Sequence, residues 1–217
     1  MKDLFSDSRT VSHTAVRACA LCGSVSPFIA ISAIAAGLFL TKVNILIDPL
    51  SRVALASFGW LVTSGFLLIA LSVAAIAGAL HFGSKRHPSI SISTRLLSSV
   101  AAGFVLLSVF RIDPVSSMHT ITGMVHIGVS AATCALFPLC CFIVAYGLAK
   151  NRSNKTITRY TLLVGAIGTL ALLMRTVPPW SSLFGLQELI GGMNALVWVV
   201  VMSLRLPGHS LGRTLPA

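Results

Sequence analysis

The chain has 217 residues, of which 55% are hydrophobic and only 10% are charged, and its mean hydropathy is +0.91. Soluble domains carry about 25% charged residues, so too little polar surface remains here to cover a water-exposed fold. The formal net charge of +11 does not indicate nucleic acid as a partner, because the basic residues lie between apolar runs and form no single patch. The composition therefore predicts a polytopic helical membrane protein.

Apolar runs that are long enough to cross a bilayer recur along the whole sequence. A helical span needs about 20 mainly apolar residues. Six such runs lie at about residues 20–41, 53–80, 94–112, 119–149, 157–177 and 182–206. We therefore expect an all-α fold, an integral membrane bundle of six transmembrane helices over residues 20–206, with a cytoplasmic N-terminal segment at 1–19 and a cytoplasmic tail at 207–217.

The distribution of Lys and Arg predicts the orientation of these spans. Twelve of the 16 basic residues flank the runs on the side that holds both termini. The other side carries four: Lys42, Arg52, Arg111 and Arg175. The positive-inside rule then places both termini in the cytoplasm. No cleavable signal peptide is expected, because the first apolar run is too long and lacks a small-residue cleavage site.

Cysteine and histidine spacing predicts no metal, cofactor or disulfide framework. Cys19 and Cys22 have CxxC spacing, but the chain lacks a second pair of ligands that would complete a zinc site. His119 and His126 share a helical face, yet seven residues separate them by about 10 Å along the axis, too far to bind one zinc ion.

An unusually polar stretch, "FRIDPVSSMHTITGMVH", connects the third and fourth spans. With the predicted orientation, Arg111 and Asp113 lie at the outer boundary of the membrane, and His126 lies deeper in the fourth span. Glu188 is the one acidic residue well inside an apolar run, and its depth in the last span matches that of His126. An ionisable group inside the membrane is costly, so it indicates a functional site by default. We therefore predict a polar pocket that opens to the outer leaflet.

The residues of this predicted pocket fall into two groups. The candidate catalytic residues are Glu188, His126 and Asp113. The candidate substrate-binding residues are Arg111, Arg175, His119, Trp60 and Asn194. Each has a structural alternative, since charges at helix ends pair or reach the headgroups, and polar side chains within spans join helices. Close helix packing is likewise the simplest role for Gly191 and Gly192.

These motifs resemble a known family. The turn "FRIDP", the histidine-bearing fourth span with Phe137-Pro138, and the last span "GLQELIGGMNALVWVVVMSLRL" are similar to the bacterial membrane family catalogued as domain of unknown function 998. The resemblance covers about residues 20–206 and matches that pattern at Asp113, Pro114, His126, Phe137, Pro138, Glu188 and Trp198. Gln187 before Glu188 departs from it. The resemblance implies about six spans and the bacterial cytoplasmic (inner) membrane, but no reaction.

Three classes of function fit these residues. The first is an enzyme that performs acid–base chemistry with Glu188 and His126 on a lipid-like or isoprenoid substrate, for instance a membrane terpene cyclase. Arg111 and Arg175 would then hold an anionic headgroup. The second class is a protein that binds or transports a membrane lipid or a hydrophobic small molecule. The third is an accessory membrane subunit without catalysis.

Overall fold

The computed structural model describes residues 4–41, 43–83, 88–114, 120–150 and 155–205. These ranges contain helices and no strand. The α-helices are α1 (Leu4–Thr41), α2 (Leu50–Val53), α3 (Gly59–Gly83), α4 (Pro88–Val109), α5 (Ile121–Ala149), α6 (Lys155–Leu173) and α7 (Phe184–Arg205). Two short 3₁₀ turns, Met174–Thr176 and Trp180–Ser182, connect α6 to α7.

Every α-helix except α2 supplies a segment that is long and apolar enough to cross a membrane. This confirms the all-α bundle of six transmembrane helices. Helix α1 begins 16 residues earlier than the apolar run, because residues 4–19 are polar but contain no Pro or Gly that would end a helix. Helix α4 begins at Pro88 and not near 94, and a proline at the first helical position is favourable.

The six long helices form a closed ring. Each packs against the long helix before it and the long helix after it, and α1 closes the ring by packing against α7. Helix α3 also contacts α7. The apolar window of α3 is 56% buried, against 28–33% for the other five, so α3 lies nearest the middle of the bundle.

The ring has two different ends. We call the end that carries the connections α1–α3, α4–α5 and α6–α7 the Asp113 end, and the opposite end the terminal end. Since the six spans alternate in direction, Asp48, Asp113 and Glu188 all lie at the Asp113 end, as the sequence indicates. Which end faces the cytoplasm stays a prediction.

Hydrogen bonds join α6 to α7. We call this contact the α6–α7 seam, and it is formed by Thr161, Val164, Asn194 and Trp198. Asn194 Nδ2 donates to the carbonyl of Val164 at 2.8 Å. The fully buried Trp198 donates from Nε1 to Thr161 Oγ1 at 3.2 Å, and its ring meets Phe137 edge to face at 5.6 Å. Interhelical bonds of this kind hold membrane helices together without a hydrophobic driving force.

Candidate functional site: a cavity inside the helix ring

A cavity of about 150 Å³ lies in the ring between α3, α4, α5, α6 and α7. Helices α5 and α7 supply the largest shares of its wall. The lining residues are Leu50, Ser51, Phe66, Ile69, Val73, Phe104, Leu107, His126, Ser130, Thr133, Cys134, Phe137, Pro138, Gly168, Ala171, Leu172, Arg175, Gln187, Glu188, Gly191, Gly192, Ala195, Leu196 and Val199.

The wall of this cavity changes from polar to apolar along the bundle axis. At the Asp113 end it contains Arg175, His126 and the pair Gln187-Glu188. Towards the terminal end it contains apolar groups such as Val199. From Gln187 to Val199 helix α7 rises about 18 Å, more than half of the roughly 30 Å hydrocarbon core of a bilayer. The cavity is therefore long and amphipathic.

Glu188 connects three elements at the polar end of the cavity. Its Oε2 accepts a hydrogen bond from the backbone N–H of Leu50 in α2 at 2.8 Å. Its Oε1 lies 3.6 Å from the guanidinium of Arg175, and about one fifth of each side chain is exposed. The sequence placed Glu188 and Arg175 in one pocket, and the structure brings them together. The carboxylate has a partner at each oxygen, so the arrangement balances its charge.

The first connection covers this polar end. Leu50 and Ser51 of α2 belong to the cavity wall. The N-terminus of α7 packs tightly below them, because a Cβ at Gly185 would collide with the carbonyls of Ile45 and Asp48. The bond from Leu50 to Glu188 therefore fixes α2 across the cavity at the Asp113 end.

His126 is 4% exposed and has one ring nitrogen engaged. Its Nδ1 lies 2.6 Å from the carbonyl oxygen of Phe110, the residue after the last of α4. Because a carbonyl only accepts, Nδ1 carries the proton and donates to a helix end that lacks donors. In the neutral ring Nε2 is then a lone-pair acceptor. Nε2 makes no hydrogen bond to any residue in the described ranges.

Asp113 lies outside the cavity wall and stabilises the start of α5. Its two oxygens accept from the backbone N–H of Thr120 at 2.8 Å and from Thr120 Oγ1 at 2.6 Å. Thr120 is the N-cap residue of α5 and accepts from Gly123 N–H at 3.1 Å. A Cβ at Gly123 would collide with the Asp113 carboxylate, so this turn requires glycine there.

The remaining predicted site residues are not brought to the cavity. Arg111 is exposed, and Trp60 is 61% exposed on the outside of the bundle. Asn194 donates to α6 in the seam. His119 falls in the segment 115–119, outside the described residues. Glu188, His126 and Arg175 are thus the predicted residues that line the cavity.

Gln187 is a lining residue that the sequence analysis did not select. It is 2% exposed, and its Nε2 donates to the carbonyl of Trp180 at 2.5 Å. Since that carbonyl only accepts, the orientation of the carboxamide is fixed. Its Oε1 is buried and has no hydrogen-bond partner within the described chain. The feature of the sequence that could have identified Gln187 is a second polar residue, directly before Glu188, in the first turn of an apolar span.

The glycines of α7 widen the cavity. A Cβ at Gly192 would have no atom of the described neighbouring chain within 4 Å, and a Cβ at Gly191 would meet only the Cβ of Ala171, at 3.9 Å. Both positions line the cavity. The expectation of close helix packing at Gly192 is therefore wrong, because its missing side chain leaves open space.

The fold and the cavity together define a multi-pass membrane protein with an amphipathic cavity inside its helix ring. The chain belongs to the family described as Protein of unknown function (DUF998), whose model matches residues 24–205. The family resemblance of the sequence is confirmed. No curated protein and no solved structure matches the chain. Among the described residues, no cluster of His, Cys, Asp and Glu has the geometry to hold a metal ion.

Proposed function

We propose that the protein binds a membrane amphiphile in the cavity of its helix ring. The observation that carries this proposal is the polarity of the wall, which is hydrogen-bonding at one end and apolar at the other. An amphiphile has the same order of groups along its length. Ligand sites are typically apolar cavities with a few convergent polar groups, and this cavity fits that description.

The size of the cavity limits the ligand. Its volume of about 150 Å³ is close to that of an engineered apolar cavity that holds one benzene molecule. Such a volume has room for a head group and the first few carbons of one alkyl or isoprenoid chain, and not for the two chains of a phospholipid. The head group would lie beside Gln187 and Glu188. With the orientation that the charges predict, that end faces the outer leaflet.

Acid–base catalysis on such an amphiphile is the second candidate function. His126 supports it, because Nδ1 is held by Phe110 and Nε2 remains as a base at the cavity wall. The contacts of Glu188 argue against its role as the acid, since both oxygens already have partners. A terpene cyclase would need that acid, although Phe66 and Phe104, whose ring centroids are 6.3 Å apart, line the apolar part.

A cavity-filling substitution tests the binding proposal. Gly192→Leu places a side chain in the open space of the cavity without a clash at Cβ. Gly128→Leu is the matched control, because Gly128 on the exposed side of α5 also has open space around it. Both variants replace a helical glycine and gain about 1 kcal/mol of helix propensity. A difference in ligand binding between the two variants therefore results from filling the cavity.

Native mass spectrometry of the full chain with added hexadecan-1-ol provides the measurement. We expect a bound molecule on the wild type and on Gly128→Leu, and at least tenfold less on Gly192→Leu. Equal binding to all three proteins would show that the cavity is not the site. For the catalytic candidate, the full chain is incubated with a polyunsaturated isoprenoid alcohol, and an isomeric product should be separated by gas chromatography from the wild-type sample and be missing with His126→Asn, which retains a donor for the Phe110 carbonyl.

A further inference from the structure

Two hydrogen-bond acceptors in the cavity wall, on Gln187 and His126, have no donor in the described chain. Gln187 Oε1 is a buried carboxamide oxygen without a donor in the described chain. His126 Nε2 is the lone-pair nitrogen of a ring whose other nitrogen donates to Phe110. Both side chains line the cavity, on α7 and α5 respectively. A buried acceptor without a donor destabilises the protein, and a ligand that supplies the donor removes that cost.

A proline within α5 removes one helical hydrogen bond near the same wall. Pro138 lies inside α5 and has no backbone N–H, so the carbonyl of Cys134 lacks its usual helical donor. Cys134 and Pro138 both belong to the lining. Gln187 Oε1 and His126 Nε2 thus lack donors, whereas one N–H of Gln187 Nε2 and the Nδ1–H of His126 are already used.

The charges of the cavity balance without a ligand. Glu188 and Arg175 form an ion pair at 3.6 Å, and the remaining contact of Glu188 goes to Leu50. Arg111, the second basic residue expected to hold an anionic head group, is exposed and lies outside the wall. A phosphate or carboxylate head group would have to compete with Glu188 for Arg175 and would bring a second negative charge beside that carboxylate. A charged head group is therefore disfavoured.

Resting on the proposed binding function, we infer that the cavity selects an uncharged, hydroxyl-bearing lipid whose O–H donates a hydrogen bond to one of the two open acceptors, Gln187 Oε1 or His126 Nε2. A hydroxyl is small enough for a cavity of about 150 Å³, and it donates without carrying a charge. The first carbons of the apolar chain then lie along the wall formed by α3 and α7.

Three single-chain probes test this inference on the wild-type full chain. Hexadecan-1-ol donates a hydrogen bond, its methyl ether only accepts, and hexadecyl phosphate is anionic. We expect the alcohol to bind about tenfold more tightly than the ether in competition by native mass spectrometry, because only the alcohol supplies a donor to the buried acceptors. The phosphate should compete more weakly than the alcohol.

Gln187→Met provides the variant arm. Methionine has a similar shape but no carboxamide oxygen, so the preference for the alcohol over the ether should fall at least threefold. The variant also loses the bond to the Trp180 carbonyl. Asn194→Leu is the matched control, since it removes an amide-to-carbonyl bond from the same helix but away from the cavity. Each probe partitions into the detergent to the same extent with all three proteins. A change in the preference for the alcohol over the ether therefore arises from the binding site. If Gln187→Met does not fold, the wild-type comparison decides alone.

The outcomes separate the inference from the function on which it rests. Equal affinity of the wild type for alcohol and ether, or tighter binding of the phosphate, would overturn the selection of a hydroxyl while leaving amphiphile binding in place. An unchanged preference in folded Gln187→Met would also overturn the assignment to that residue. No binding of any probe to the wild type would overturn both proposals.

Discussion

Helix α7 contributes to both the α6–α7 seam and the cavity, but the hydrogen bonding of its polar side chains differs between the two regions. In the seam, Asn194 and Trp198 each donate to a group on α6. In the cavity, Gln187 on α7 donates one N–H to the carbonyl of Trp180, and its Oε1 has no donor in the described chain. His126 on the opposite wall does the same.

On the proposed function, this difference separates residues that join helices from residues that face the ligand. Inside a membrane an unpaired polar group is expensive, so a polar residue with a purely structural role should have its bonds completed within the protein. In the seam, the donors of Asn194 and Trp198 both have partners on α6. On the proposed function, the buried Gln187 Oε1, which has no donor in the described chain, marks the wall that faces the ligand.

The largest effect on stability should come from the seam. Trp198→Ala removes a fully buried ring, its bond to Thr161 and its contact with Phe137. We expect a loss of about 3 kcal/mol, which corresponds to roughly 10 °C in Tm for a chain of this size. Thermal unfolding in detergent measures it. Trp60→Ala is the control, since that ring is exposed and its loss should leave Tm nearly unchanged.

A smaller loss of stability should follow from breaking the ion pair at the polar end of the cavity. Glu188→Gln retains an acceptor for Leu50 N–H but leaves Arg175 without its counter-charge. We expect a loss of about 2 kcal/mol, and the double variant with Arg175→Gln should recover part of it because no charge is then left unpaired. Additive losses in that thermal-unfolding cycle would show that the two residues do not interact.

Asp113 should contribute through the start of α5. Asp113→Ala removes two acceptors from Thr120 and should lower stability by about 1 kcal/mol, the usual value of a helix cap. Affinity for hexadecan-1-ol should change less than twofold, because Asp113 lies outside the cavity wall. A tenfold loss of affinity at unchanged Tm would instead place Asp113 in the binding site.

The smallest effect should come from the other bond of the seam. Asn194→Leu removes one interhelical hydrogen bond, and such bonds contribute about 0.6 kcal/mol on average in a membrane protein. We expect a shift of about 2 °C in Tm with unchanged binding of the alcohol. Loss of binding in a stable Asn194→Leu protein would erase the distinction between seam and cavity.

The sequence predicted the architecture well because hydropathy alone specifies it. Six apolar runs alternate in direction, so the polar residues of alternate connections must meet at one end of the bundle. That reasoning was enough to bring Glu188 near Arg175 and to select His126. It misplaced the start of α1, since a polar helix that continues from a span has no hydropathy signal.

The orientation of each helix about its own axis decides which residues face the cavity, and the sequence does not specify that orientation. Gln187, Asn194 and Trp198 are spaced by 7 and 4 residues, so they lie on nearly the same face of α7. Yet Gln187 meets the Trp180 turn and the cavity, whereas the other two meet α6. The periodicity of the sequence cannot distinguish Gln187 from Asn194 and Trp198. Their different contacts depend on where α6 ends. Trp60 was likewise predicted to bind substrate because of its residue type, but helix packing places its ring on the outside of the bundle.

The closed ring also sets an order of events during synthesis. Each long helix packs on the one inserted just before it, so most of the bundle can assemble as the chain leaves the ribosome. Helix α7 is the exception, because it closes the ring on α1 and supplies Gln187, Glu188 and both glycines of the wall. A nascent chain that stops before α7 has five spans but not the cavity wall that α7 supplies. On the proposed function, a lipid can therefore bind only after the last helix has entered the membrane.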